Sequence, residues 1–259
     1  MQTDRAFRKI VIPRRAEKPR EMGITMLIDW GIGPAAQTDW LEIGSEYIDL
    51  AKMAVGISGL LSADLLRRKI DLYRQYNVTP FPGGQFLEYA VHHGQTREYM
   101  EDACAAGYSW IEVSDNVIEL SPAQKVDLIR RAREEYGLQV IGEVGSKVVG
   151  THAGTLIADI QRCLDAGCWK VFVEAAEIFG DELNEALIEE ITSAVPLEKL
   201  IFEVPGPWIP GIHRCDQFAT RTWLVKRFGP EINLANVYPE DILETETLRR
   251  GIGVSALKW

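Results

Sequence analysis

Four stretches between residues 109 and 205 decide the fold: SWIEVSD at 109–115, QVIGEVG at 139–145, KVFVEAA at 170–176 and LIFEVP at 200–205. Each is a short run rich in β-branched and aromatic residues, as expected of a buried strand. Their first residues are 30, 31 and 30 positions apart, which is the length of a strand, a helix and two short loops. The spacing therefore predicts consecutive βα units.

Four more runs of this kind, at 25–30, 47–54, 78–84 and 232–237, bring the number of predicted strands to eight. Helix signals separate them, the clearest being the capping box of Ser121 and Gln124 with Pro122 at the first helical position. No GxGxxG motif follows the first strand, so a closed barrel is favoured over an open doubly wound sheet. We predict an α/β fold, a single (β/α)8 TIM barrel over residues 21–259, preceded by a basic arm over residues 1–20.

Charge and composition narrow the functional classes. The net charge of −10 argues against nucleic-acid binding, which needs a basic face to displace counterions. No apolar run is long enough to span a bilayer and no secretory signal is evident, so we expect a cytoplasmic protein. The four cysteines have no CxxC spacing and are expected to be free thiols. These observations favour small-molecule chemistry, and a homo-oligomer is left open.

Four glutamates occupy one register near the ends of successive predicted strands: Glu112, Glu143, Glu174 and Glu203. They are 31, 31 and 29 residues apart, so equivalent positions in equivalent units would place them at one height in the barrel. Strand side chains alternate between the barrel interior and the helix layer, so if one points inward the others do too. We therefore expect four carboxylates to converge at the mouth of the barrel.

Buried carboxylates must be paired with cations or bind a metal. The nearest lysines in the pattern are Lys52, within the second strand, and Lys147, just after the fifth. Two lysines cannot neutralise four glutamates together with Asp29 and Asp115. The excess of oxygen ligands favours a hard ion, Mg²⁺, over zinc, and Glu112, Glu143 and Glu174 are the predicted ligands.

A lysine beside carboxylates and a metal can have its pKa tuned and can act as a proton donor. Lys147, in EVGSK, is the candidate acid, and Lys52 is expected to hold substrate charge. Glu143 completes the predicted catalytic group.

Across residues 21–252 the chain resembles the phosphosulfolactate synthase family of coenzyme M biosynthesis. The stretches that carry the resemblance occur in order and at matching spacing. They are ITMLIDWGIGP, EYIDLAK, PGGQFLEYA, IEVSDN followed by ELSPAQK, EVGSK, LDAG, IFEVP, INLANV and LETETLRRG.

The resemblance implies a (β/α)8 barrel and a lyase that adds sulfite to phosphoenolpyruvate with Mg²⁺, so the expected partner is a small anionic substrate. In that chemistry the metal stabilises charge on the substrate carboxylate as the nucleophile attacks C3, and an acid protonates C2. Lys147 matches the family lysine expected to be that acid. The candidate substrate-binding residues are Asp29, Glu88, Ser114, Asp115, Glu203, Asn233, Asn236, Arg214 and Arg221.

The chain departs from the family pattern at two anion-binding positions. Where the family usually has Asp-Lys-Gly after the first strand, this chain has Trp30 in place of the lysine, and Ala176 stands in place of an arginine after the sixth. The long loop after the seventh strand supplies Arg214 and Arg221 as candidate replacements. Two alternatives therefore stay open: the same barrel and metal site acting on a different substrate, and a non-catalytic stress or binding relative.

Overall fold

Eight parallel strands form the centre of the molecule. In the computed structural model the described residues are 6–145, 151–179 and 183–254. The strands are β1 (Thr25–Asp29), β2 (Leu50–Met53), β3 (Thr79–Pro82), β4 (Trp110–Val113), β5 (Gln139–Val144), β6 (Val171–Val173), β7 (Leu200–Glu203) and β8 (Leu234–Val237). They pair in the order β3-β2-β1-β8-β7-β6-β5-β4, and β3 and β4 lie side by side where the sheet closes. The predicted single (β/α)8 barrel is confirmed.

Helices connect successive strands and cover the outside of the barrel. Among the described residues they are α1 (Pro34–Gly44), α2 (Ala63–Gln75), α3 (Gly84–His92), α4 (Thr96–Ala106), α5 (Pro122–Glu134), α6 (Ala153–Asp165), α7 (Ala175–Ile178), α8 (Glu185–Ala194), α9 (Arg214–Phe228) and α10 (Ile242–Arg249). The predicted capping box is present, since the Ser121 hydroxyl accepts from the Gln124 amide. None of the described helices combines the length and the apolar composition that a membrane span requires.

One strand boundary differs from the sequence expectation. The second strand was expected at 47–54 but begins at Leu50, because Ser45–Tyr47 forms a turn of 3₁₀ helix closed by the Ile48 amide on the Ser45 carbonyl. Aromatic and β-branched composition identifies the run at 47–54 but does not separate a strand from the turn that leads into it.

The interior of the barrel is layered. A small apolar cluster fills its centre and includes Ile141, Phe172 and Ile201, all fully buried. Because side chains alternate along a strand, the residues two positions later in β5 and β7, and just after β6, also face inward. Those positions hold glutamates, so an apolar layer lies directly beneath an acidic one.

The basic arm contacts the opposite end of the barrel, where the strands begin. Arg15 forms ion pairs with Glu246 at 2.5 Å and Glu231 at 3.4 Å, and Arg20 pairs with Asp49 at 3.2 Å. Two cations of the arm, Arg15 and Arg20, are thus held by acids far from the mouth. The division into an arm of residues 1–20 and a barrel of residues 21–259 stays a prediction.

Candidate functional site

The four glutamates of the sequence pattern lie together at the carboxyl ends of the strands. Glu112 is in β4, Glu143 in β5, Glu203 ends β7, and Glu174 directly follows β6. All four are at most 2% exposed. Equal spacing in the sequence therefore corresponds to one layer of the barrel, as expected.

Lys52 lies among these acids as a buried ammonium group. It projects from β2, and its Nζ is 2.9 Å from Glu112 Oε2 and 3.1 Å from Glu203 Oε1. Burial opposes its charge, but Glu112, Glu203 and Glu143 together raise the pKa of Lys52 well above its usual value. Lys52 is therefore a fixed cation that already serves two carboxylates.

Three of the four glutamates are arranged so that they could hold one cation. One carboxylate oxygen from each of Glu143, Glu174 and Glu203 lies within 4.8 Å of the other two. Oxygen ligands on opposite sides of one Mg²⁺ stand roughly 4 Å apart, so this spacing fits ligands around a single ion after small adjustments. The donor set is carboxylate oxygen, which suits a hard divalent ion.

Glu112 lies outside this group of three, and its role as a metal ligand stays a prediction. It approaches Lys52 on one side and shares a hydrogen bond with the carboxyl group of Glu143 on the other. Burial raises the pKa of Glu112 well above its usual range, the charge and hydrogen bond of Glu143 act in the same direction, and Lys52 opposes them. The geometric group of three contains Glu203 where the sequence pattern suggested Glu112.

A residue missed in the sequence supports this layer. The Asn116 side-chain amide donates to Glu174 Oε2 at 3.0 Å, and Asn116 is 3% exposed. Its loop, between β4 and α5, is held by Glu88, whose carboxylate accepts from the Ser114 hydroxyl and from the backbone amides of residues 116, 117 and 118. Asn116 lies next to Asp115 in the motif IEVSDN, so a signal for it was present in the sequence.

Glu88 and Ser114, expected to bind substrate, thus contact each other and shape a loop. Asp115 has a similar structural contact, since its carboxylate is 2.6 Å from Lys125 Nζ. The same ammonium group donates to the backbone carbonyl of Glu143 at 2.6 Å. Asp115 and Lys125 therefore support the strand that carries Glu143.

A cavity of about 170 Å³ opens above the acidic layer. This is smaller than typical pockets for drug-sized ligands, and so suits a small molecule. Asn236 reaches it from the end of β8 with a backbone φ of +58°, unusual for a residue with a side chain. Its buried Oδ1 has no hydrogen-bond partner among the described residues, so Asn236 offers an acceptor to a ligand.

Two other predicted site residues, Asp29 and Asn233, are held in structural contacts. Asp29 is fully buried and accepts from Tyr73 Oη and Lys69 Nζ, each at 2.8 Å. Asn233 bonds the backbone of β7 through its amide group and accepts from the Ile24 amide near the start of β1.

Neither arginine of the loop and helix after β7 lies on the cavity wall of the described residues. Arg221 is buried and pairs with Asp241 at 3.2 Å and Glu244 at 3.0 Å. Arg214 is 67% exposed and also contacts Asp241. Both guanidinium groups are therefore engaged by acids at the start of α10. Lys147, the expected proton donor, lies outside the described residues.

Comparison with known proteins finds relatives that match the chain along most of its length. The model of the family described as (2R)-phospho-3-sulfolactate synthase (ComA) matches residues 13–254. The phosphosulfolactate synthase of Methanothermobacter thermautotrophicus is 33% identical over 254 residues, covering 93% of each chain. That of Methanocaldococcus jannaschii is 29% identical over 244 residues, covering 90% of this chain and 92% of the other.

Among solved structures, similarity is limited to the fold. DHDPS from Cyanidioschyzon merolae, solved with lysine bound, has a TM-score of 0.57 at 14% identity, covering 90% of this chain and 75% of that one. At this identity the likeness shows a shared barrel architecture and nothing about the ligand.

Proposed function

The chain belongs to the (2R)-phospho-3-sulfolactate synthase family, and on that premise we propose that it catalyses Mg²⁺-dependent addition of sulfite, or another nucleophile, to phosphoenolpyruvate or a close analogue. Membership of the family supports a lyase-type enzyme. The observation that carries the proposal is the buried group of Glu143, Glu174 and Glu203 beside Lys52, at the floor of a small cavity. Addition to an unsaturated carboxylate is favoured by a metal ion and a fixed cation, because both stabilise the negative charge that develops on the substrate.

Different residues of the site would bind the metal, orient its ligands and stabilise charge on the substrate. Glu143, Glu174 and Glu203 would hold Mg²⁺, and Asn116 orients Glu174 by its hydrogen bond. When bound, the metal would stabilise the negative charge that develops on the substrate carboxylate. Lys52 adds a fixed positive charge beside these carboxylates. Glu112 and Glu203 already hold its ammonium group in place, so this charge needs no reorganisation during the reaction.

The proposed reaction is an addition across the C2=C3 double bond. The sulfur lone pair of sulfite forms a bond to C3, the electrons of the C2=C3 double bond move towards C2 and its carboxylate, and C2 then takes a proton. No group leaves. The sequence assigns that proton to Lys147, and this role stays a prediction because Lys147 lies outside the described residues.

The test is a product assay. Purified protein is incubated with phosphoenolpyruvate, sulfite and MgCl₂, and phosphosulfolactate is measured by mass spectrometry. We expect product that disappears with EDTA and in Glu174→Gln, while Glu189→Gln, a change of an exposed acid on α8, leaves it unchanged. Clear Mg²⁺ binding without product would contradict the phosphoenolpyruvate and sulfite pair and favour a different substrate at the same metal site.

A further inference from the structure

The cavity above the acidic layer has two unlike walls. Its inner wall is charged and is formed by Lys52, Glu112, Glu143 and Glu203. Its outer wall is apolar and includes Trp30, Ala54, Val55, Ala176, Trp208 and Ile209. A ligand that fills this space therefore contacts charge at one end and hydrocarbon at the other.

Two tryptophans form the outer part of the apolar wall. Trp30 follows β1 and Trp208 lies in the loop between β7 and α9, and their ring centroids are 5.7 Å apart with planes inclined by 42°. Trp30 remains 43% exposed. Large aromatic surface left open beside a cavity is the kind of surface that a bound apolar group covers.

Both rings are held in place by neighbouring residues. A Cβ at Gly206 would lie only 2.1 Å from Trp208 Cζ3, so the ring occupies space that exists because position 206 has no side chain. Trp30 forms a side-chain hydrogen bond with Tyr238. The indole N–H is the donor in this bond, because it has no acceptor capacity. Gly206 thus leaves room for the Trp208 ring, and Tyr238 contacts Trp30.

The described cavity wall offers little to an anionic substituent. Lys52 is the one cation that lines it within the described ranges, and its ammonium group already contacts Glu112 and Glu203. Arg214 and Arg221, the nearest candidates in the sequence, bind acids elsewhere. A phosphate against the indole rings would lose hydration without gaining a charged partner among the residues that the structure describes there.

We infer that the preferred acceptor is an α,β-unsaturated carboxylate with an alkyl or aryl substituent where phosphoenolpyruvate carries phosphate, and that phosphoenolpyruvate is a slower substrate of the same site. Trp30 and Trp208 are the specificity-determining residues that bind this substituent. The inference rests on the proposed function, since it keeps the metal site and the addition. Sulfite would form its S–C3 bond and C2 would take a proton as before, with no leaving group, giving a substituted 3-sulfopropanoate.

Binding of two matched, unreactive ligands tests the inference. 2-Phospholactate and O-benzyl-lactate share the lactate carboxylate and differ in the group on the 2-oxygen. Their dissociation constants are measured by calorimetry with saturating Mg²⁺. We expect the wild type to bind O-benzyl-lactate at least roughly tenfold more tightly, in line with discrimination by an apolar pocket.

Three variants identify the residues responsible. Trp208→Ala should weaken binding of O-benzyl-lactate roughly tenfold or more and leave 2-phospholactate nearly unchanged. Trp30→Lys should reverse the preference, because it places a cation beside the phosphate. Trp223→Phe, a change on α9 where Trp223 packs against Phe228, is the matched control and should alter neither constant.

The possible failures are distinguishable. Tighter binding of 2-phospholactate by the wild type, with an unchanged ratio in Trp208→Ala, overturns the inference and leaves the proposed function intact, and product from phosphoenolpyruvate and sulfite would then identify the natural pair. Failure of both ligands to bind a folded protein that binds Mg²⁺ overturns the inference and the proposed function together.

Discussion

Replacing Lys52 by methionine should destabilise the protein in a way that Mg²⁺ partly reverses. The Nζ atom of Lys52 is 2.9 Å from Glu112 and 3.1 Å from Glu203. At an effective dielectric constant of about 20, a contact between two full charges at these distances is worth roughly 5–6 kcal/mol of Coulomb energy. The contact with Glu112 is worth less, because burial and Glu143 favour the neutral form of this carboxyl group. Desolvation of the charges offsets much of this, and removing one partner of a buried pair typically costs about 3–5 kcal/mol. We expect a loss in that range.

The effect of Mg²⁺ separates a metal site from a purely structural ion pair. In Lys52→Met the carboxylates are no longer neutralised by an ammonium group, and no positive charge at this position repels a bound Mg²⁺ ion. Both effects strengthen Mg²⁺ binding. A ligand at 100 times its dissociation constant adds about 2.7 kcal/mol to the free energy of unfolding. Mg²⁺ should therefore stabilise Lys52→Met more than it stabilises the wild type.

Lys69→Met is the matched control. Lys69 is also a buried lysine, and it is paired with Asp29 at 2.8 Å, outside the acidic group of three. Its loss should destabilise the protein without any added response to Mg²⁺. The assay is urea denaturation of all three proteins with and without MgCl₂. Equal Mg²⁺ increments in the two variants, or a loss below about 1 kcal/mol in Lys52→Met, would refute this reasoning.

Three further outcomes are expected. In calorimetry, Glu174→Gln should abolish Mg²⁺ binding while Glu112→Gln retains it; equal loss in both would restore Glu112 as a ligand. Titration of the native protein with a thiol reagent should modify Cys104 and Cys215, which are exposed, and the two buried cysteines should react only in denaturant. Glu88→Gln should lower the free energy of unfolding in urea by about 2 kcal/mol, since a charged acceptor of four hydrogen bonds is lost; an unchanged midpoint would contradict that role.

The convergence of the four glutamates could be predicted because it depends on local rules. Strand alternation and a constant βα length fix the height and the direction of a side chain, and Glu112, Glu143, Glu174 and Glu203 follow both. Which acids pair with Lys52 depends on distances across the barrel. The sequence does not contain those distances, so it suggested Glu112 for the metal where the geometry groups Glu203.

The remaining contacts join segments whose relation only the folded chain defines. Trp30 and Trp208 come from loops on opposite sides of β8 in the sheet order and meet because β1 and β7 both pair with β8. Arg221 looked available on its helix, but α10 brings Glu244 against it. In each case the residue type was visible in the sequence, and the partner was fixed by packing.

The layering of the barrel bears on whether the site acts chemically. Directly beneath the glutamates, the interior is filled by Ile141, Phe172 and Ile201. Continuing this apolar packing one layer higher would stabilise the barrel at least as well, because buried charges repay their desolvation poorly. The acidic layer instead concentrates carboxylates around one lysine, beside a cavity that a small ligand can enter. A protein that used the barrel only as a scaffold would gain nothing from this arrangement, whereas an enzyme that holds a cation and a carboxylate substrate requires it. The acidic layer therefore favours a protein that binds a cation or a charged ligand over one that uses the barrel only as a scaffold.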